Sequence, residues 1–94
     1  MTDEVVRPVL SVSADVAWVR DGPHVLLLAL QDGARRLLTA TGADVWQHVV
    51  STGDLDQVTS ALRAQYPDAP AGLRDDVEAL IDELVLQGFL RRSS

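Results

Sequence analysis

The apolar residues of this chain change their spacing once, and that change dictates the order of its layers. Up to Thr39 they recur every second residue or run together in short blocks; beyond Thr41 they recur every third and fourth residue. A chain patterned this way forms strands first and helices afterwards, which is the signature of a segregated α+β fold rather than of alternating β-α units.

Leu10, Val12, Ala14, Val16 and Trp18 alternate with smaller or polar residues, so residues 9–20 predict one or two short strands. Asp21-Gly22-Pro23 is a turn, and residues 24–30 (His-Val-Leu-Leu-Leu-Ala-Leu) form an apolar run of strand length, expected to be the central and most buried strand. Asp32-Gly33 is a hairpin signal that folds residues 34–39 back as an antiparallel neighbour. The helical pattern opens at Thr41, where an acid three residues on, Asp44, resembles a capping box; Val45, Trp46, Val49 and Val50 make the apolar face. Asp54 and Gln57 repeat that signature for a second helix carrying Leu55, Val58, Ala61, Leu62 and Tyr66. A third helix follows from Leu73, Val77, Leu80, Ile81 and Leu84, with Asp75, Glu78 and Asp82 opposite this stripe and Asp76, Ala79 and Glu83 on its shoulder. Gly88 stops it, and Phe89 and Leu90 pack back. Residues 1–8 are expected as a flexible N-terminal arm, residues 9–90 as the single folded domain, and residues 91–94 as a frayed tail.

At 94 residues there is room for one modest core. The absence of cysteine removes disulfides, thiolate nucleophiles and sulfur-ligated metals. Fourteen carboxylates against eight arginines and no lysine leave a net charge of -6, which disfavours nucleic acid as a partner because phosphate contacts need a positive face. No apolar run approaches the length of a membrane span, and no secretory signal opens the chain, so a cytoplasmic protein without membrane contact is expected. His24 and His48 stand alone, the glycines sit singly at turns, and Asp75-Asp76 and Asp82-Glu83 point about 100° apart on a helix. No catalytic residue, metal site or cofactor is therefore expected, and the chain is not expected to be an enzyme. Three helices beside a sheet suit a winged helix-turn-helix frame, but the second helix offers only Arg63 as a base beside Asp54 and Asp56, so a DNA-binding regulator is the weaker alternative.

Leu38-Thr39-Ala40-Thr41-Gly42-Ala43-Asp44-Val45-Trp46 resembles the strand-to-helix junction of the PqqD-like family, the RiPP recognition elements. The third-helix segment from Asp76 to Leu84, ending in Gln87-Gly88-Phe89-Leu90, is similar to the closing helix of that family. The resemblance implies a winged helix-turn-helix-like domain with a three-stranded antiparallel sheet followed by three helices. It implies a non-catalytic role: binding the leader segment of a ribosomally made precursor peptide in the groove between the third strand and the third helix. The bound leader is then presented to a leader peptidase, a cyclase or another modifying enzyme, and a free-standing chain of this size looks most like the lasso-peptide version. A docking subunit that contacts only a partner enzyme is the other alternative.

An exposed edge strand carries unpaired N–H and C=O groups that an extended guest can satisfy, and alternate side chains then set specificity. Residues 34–39 are the candidate edge, with Arg35, Arg36, Leu37, Leu38 and Thr39 as candidate peptide contacts. Arg35 and Arg36 also suit protection of the edge against self-association. Leu37 and Leu38 must point to opposite faces, one to the core and one to solvent or guest. Across the groove the candidates are Asp76, Ala79, Leu80 and Glu83, with Ala79 giving room, Leu80 apolar contact and the acids polar contact.

Overall fold

A computed structural model describes residues 9–93. Its elements are β1 (Val9–Val12), β2 (Val16–Asp21), β3 (His24–Ala29), β4 (Arg35–Thr39), α1 (Thr41–Thr52), α2 (Leu55–Gln65), α3 (Leu73–Leu86) and β5 (Leu90–Ser93). The strands form two antiparallel sheets, β2-β3-β4 and β1-β5. The expected three-stranded sheet followed by three helices is present, and residues 9–20 supply two strands that enter different sheets.

Hairpin chemistry sets the register of the larger sheet. Gly22, at φ 57°, turns β2 into β3 so that Asp21 opposes His24 and Val19 opposes Leu26. Between β3 and β4 the loop is longer than a two-residue turn. Ala29 N–H donates to the Ala34 carbonyl at 2.8 Å, and the Asp32 carboxylate accepts from Ala34 N–H at 3.0 Å, bringing Leu28 opposite Arg35. β3 is central as expected, but it is buried on one face only: Val25 and Leu27 are fully buried while Leu26 is 42% exposed. The helices cover a single face of the sheet, so the run of leucines splits by the two-residue pleat.

Residues 91–93, expected in a frayed tail, instead form most of β5, with Arg92 opposite Leu10 and Arg91 opposite Ser11. The expected arm over residues 1–8 and the last residue, Ser94, lie outside the described residues. The β1-β5 ribbon is anchored to the helices by Leu10 N–H, which donates to the Gly53 carbonyl at 2.8 Å. Gly53 ends α1 at φ 66°, and a Cβ there would stand 2.8 Å from the Leu10 carbonyl oxygen, so backbone freedom and close approach both demand glycine. The core lies between the inner face of the sheet and the helices, with Val45, Trp46 and Val49 of α1, Leu62 of α2 and Val77, Ile81 and Leu84 of α3 all nearly inaccessible. Trp18 meets Trp46 edge to face at 5.9 Å between ring centroids.

The caps differ from expectation at one helix. Asp54 caps α2 through its carboxylate, which accepts from Asp56 N–H at 2.8 Å. Thr41 does not cap α1; Ala40 precedes that helix at φ 50°, with no side-chain cap. Asp44 is instead a node between elements. Its carboxylate accepts from Arg20 Nη2 of β2 and Gln65 Nε2 of α2, both at 3.1 Å, and from the Tyr66 hydroxyl. Burial acts to raise the Asp44 pKa, but the hydrogen bonds from Tyr66 and Arg20 outweigh it and hold the carboxyl below its ordinary 3.8. The same bond to Asp44 pushes the Tyr66 hydroxyl up.

Two expectations follow, both read by denaturant titration. Gly53→Ala destabilises the fold by about 2 to 4 kcal/mol through left-handed strain and contact with Leu10, whereas Ala40→Gly stabilises it by about 1 kcal/mol by relieving a positive φ. Because the folded pKa of Asp44 is depressed, its contribution is complete above the unfolded value of 3.8 and is lost as pH falls through the lower folded one. Asp44→Asn therefore lowers stability at neutral pH and flattens the stability profile below pH 3.8.

Candidate functional site

β4 is an edge of the three-stranded sheet, and the ladder determines which of its backbone groups are committed. Ala29 N–H bonds the Ala34 carbonyl and Ala40 N–H bonds the Pro23 carbonyl at 3.2 Å, so hydrogen-bonded pairs fall at every second residue between them: Leu27 with Arg36 and Val25 with Leu38. The N–H and C=O groups of Arg35, Leu37 and Thr39 consequently point away from β3, toward the free side of the strand. β2 is the other edge of this sheet, and there Val16 N–H is already taken by the Ser13 carbonyl at 3.1 Å.

The side chains of β4 divide by the same alternation. Leu38 is 3% exposed and belongs to the core, whereas Leu37 is 58% exposed on the opposite, open face beside Leu26 and Val19, its cross-strand neighbours. This settles the alternative left open by the sequence. Arg35 and Thr39 share the open face with Leu37, and Arg36 shares the helix side with Leu38. Val19, Asp21, His24, Leu26 and Leu37 line a shallow cleft of about 340 Å³ on that open face.

α3 packs chiefly on α2 and β5 and runs past β4 without packing closely on it. The two elements are bridged at two levels. Near the start of α1 the bridge is apolar: a methyl group on Gly42 would sit 3.7 Å from Leu80 Cδ2 and 3.9 Å from Leu38 Cβ. Leu80 is half-buried there, against the core. Farther along, the bridge is polar: Arg36 forms an ion pair with Glu83 and donates from Nη1 to Gln87 Oε1 at 2.7 Å. Asp76 and Ala79 are exposed on α3, on the face that Glu83 and Gln87 continue. Of the nine residues singled out from sequence, the structure thus brings Arg36, Leu38, Leu80 and Glu83 together along the β4–α3 seam and turns Arg35, Leu37 and Thr39 to the other face. Gln87 and Gly42 join the seam without having been singled out. Gln87 was legible as the next step of the 76, 80, 83 stripe, while Gly42 carries no side chain to betray its contacts.

The larger cleft, about 460 Å³, lies on the far side of α3, with Leu10, Leu55 and Ile81 as its apolar lining and the ion pairs Arg74–Asp56 and Arg92–Asp82 among its charged residues. No group of three or more potential metal ligands occurs among the described residues. Among them, no helix is long and apolar enough to cross a membrane.

The family model for coenzyme PQQ synthesis protein D (PqqD) matches residues 24–90, which is most of the chain. The chain belongs to the PqqD family. A solved structure, TbiB1 in complex with the TbiA(beta) leader peptide, superposes with a TM-score of 0.79 at 22% identity, covering 85% of this chain and 93% of that one. No curated protein matches by sequence. The family match starts at His24, so β1 and β2 lie before it.

In this PqqD-like chain the opposed fates of Leu37 and Leu38 can be checked by substitution. Leu38→Ala removes a buried side chain and costs about 2 to 5 kcal/mol in denaturant titrations, while Leu37→Ala, exposed on the open face, costs under about 1 kcal/mol.

Proposed function

We propose that this chain binds the leader segment of a ribosomally synthesised precursor peptide by strand addition to β4, in the groove between β4 and α3, and presents it to a processing enzyme. The observation that carries this reading is the row of outward-facing backbone groups at Arg35, Leu37 and Thr39, running beside a helix that does not pack closely on the strand. Membership of the PqqD family supports it, as does the likeness to TbiB1, whose structure holds a leader peptide. Main-chain bonds to three alternate residues supply affinity with little regard to guest sequence, and side chains on the helix side supply discrimination.

The guest's helix-side residues meet Arg36 and Leu80 beside the buried Leu38, flanked by Glu83, Asp76 and Ala79; its other residues extend the open face beside Arg35, Leu37 and Thr39. The chain performs no chemistry in this reading. It raises the local concentration of one precursor at a leader peptidase, a cyclase or both, and the lasso-peptide type of pathway is the one the sequence resemblance favours. DNA recognition has little support: the basic residue of α2, Arg63, is engaged with the Ala71 carbonyl at 3.3 Å, and the chain carries a net charge of -6.

The test is an amide-resonance titration with the leader of the precursor encoded beside the gene. Binding is expected in the micromolar range or tighter, with the largest shifts at residues 35, 37 and 39 and slowed hydrogen exchange at those amides. Leu37→Pro deletes the central outward donor without touching a β3–β4 bond, since proline is tolerated on an edge strand when its missing N–H faces outward. It should leave the melting temperature within a few degrees and reduce affinity by roughly tenfold or more. A fully retained affinity in Leu37→Pro, or shifts confined to the far side of α3, would overturn strand addition at β4.

A further inference from the structure

Arg36 is the one β4 side chain that reaches across the seam to polar groups of α3. It lies on the helix side of the strand, and its guanidinium meets Glu83 and Gln87, which stand one helical turn apart. A strand added to β4 places every second side chain on that same side, and the guest residue directly opposite Arg36 enters the space the ion pair spans. Resting on the strand-addition reading, we propose that the Arg36–Glu83 pair is an internal competitor for the guest, and that its exchange makes the groove selective for a peptide with a carboxylate opposite Arg36.

The direction of the selectivity comes from unequal burial. The Arg36 side chain is 26% exposed and that of Glu83 49% exposed. A guest Asp or Glu replaces Glu83 at the guanidinium; Arg36 keeps a partner, Gln87 keeps its hydrogen bond, and Glu83 turns outward into water at little cost. A guest Lys or Arg would have to capture Glu83 and leave the more buried charge, Arg36, unpaired beside a like charge, which is the costlier outcome. A neutral guest residue gains nothing from Arg36 and must either accommodate the existing pair or break it. The order of preference is therefore acidic, then neutral, then basic. It holds against the chain's overall negative charge, because a direct partner of Arg36 outweighs the flanking acids Asp76 and the displaced Glu83, which are exposed and screened by water and salt. Glu83 acts as a placeholder that keeps the partly buried Arg36 satisfied while the groove is empty.

Two variants give opposite signs. Glu83→Gln removes the competitor while leaving Arg36 with its Gln87 bond, so it tightens acid-bearing guests by about three- to fivefold, the worth of one partly exposed ion pair. Arg36→Gln weakens the same guests by roughly tenfold and erases their advantage over versions with Gln in place of the acid. A structural role alone for the pair would make both variants weaken binding.

The probe is a library of random 12-residue peptides displayed on phage and selected against the full chain, with binders retained only if they shift the β4 amide resonances. The expected result is an acidic residue enriched at one register position, together with the tightening in Glu83→Gln. Since Glu83 is exposed, that variant carries the test even if Arg36→Gln melts early. Binders that shift β4 but lack an acidic position, or that weaken in Glu83→Gln, would overturn the exchange and leave strand addition standing. Failure to select any peptide that shifts β4 would overturn both.

Discussion

The structure depends on what a single strand is required to do at once. β4 must close the sheet against β3 through Arg36 and Leu38, bury Leu38 in the core, and turn the groups of Arg35, Leu37 and Thr39 away from β3. The two-residue pleat reconciles these demands, because alternate residues present both their side chains and their hydrogen-bonding groups in opposite directions. A one-residue slip of β4 would expose Leu38, bury Leu37 and turn Arg36 away from α3, so the apolar cost of losing the core also protects the register of the outward-facing groups.

Holding that strand in place falls to contacts distant from the groove. Ala40 makes the step from β4 into α1 at a positive φ, tied by its N–H to the Pro23 carbonyl. The strain there is offset by the burial of Leu38 before it and of Ala43, Val45 and Trp46 after it. Asp44 then joins β2, α1 and α2 through Arg20, Tyr66 and Gln65, while Gly53 hands the end of α1 to β1. α3 is fastened on its other sides, by α2 and by β5, which explains how it can run beside β4 without packing closely on it.

Much of the fold was legible in local patterns. The apolar stripe of α3 is buried as its spacing required, with Leu80 at the margin where the stripe is widest; Asp54 caps α2 as its position implied; and Gly22 and Gly33 turn the strands. What escaped was non-local or rested on the backbone. Arg91, Arg92 and Ser93 have no apolar pattern to betray a strand, yet they pair with β1 because main-chain groups need no particular side chain. Asp44 has the spacing of a capping residue, and only the arrival of Arg20 and Tyr66 from other elements shows that its carboxylate is spent elsewhere. Of the candidate site, the sequence supplied both of its walls but not how they meet.

From the sequence alone came the order of strands and helices, the alternation along residues 35–39, the acidic shoulder of α3 and the likeness to the PqqD family, since each is written in spacing within one element. Tertiary structure alone decided that Leu38 rather than Leu37 turns inward, that Arg36 is held by Glu83 and Gln87, and that β4 lies at the edge of its sheet among the described residues. Those outcomes depend on which face the helices cover and how far α3 stands from the sheet. Both are consequences of packing between segments some fifty residues apart, such as Arg36 and Gln87, which no short-range periodicity encodes.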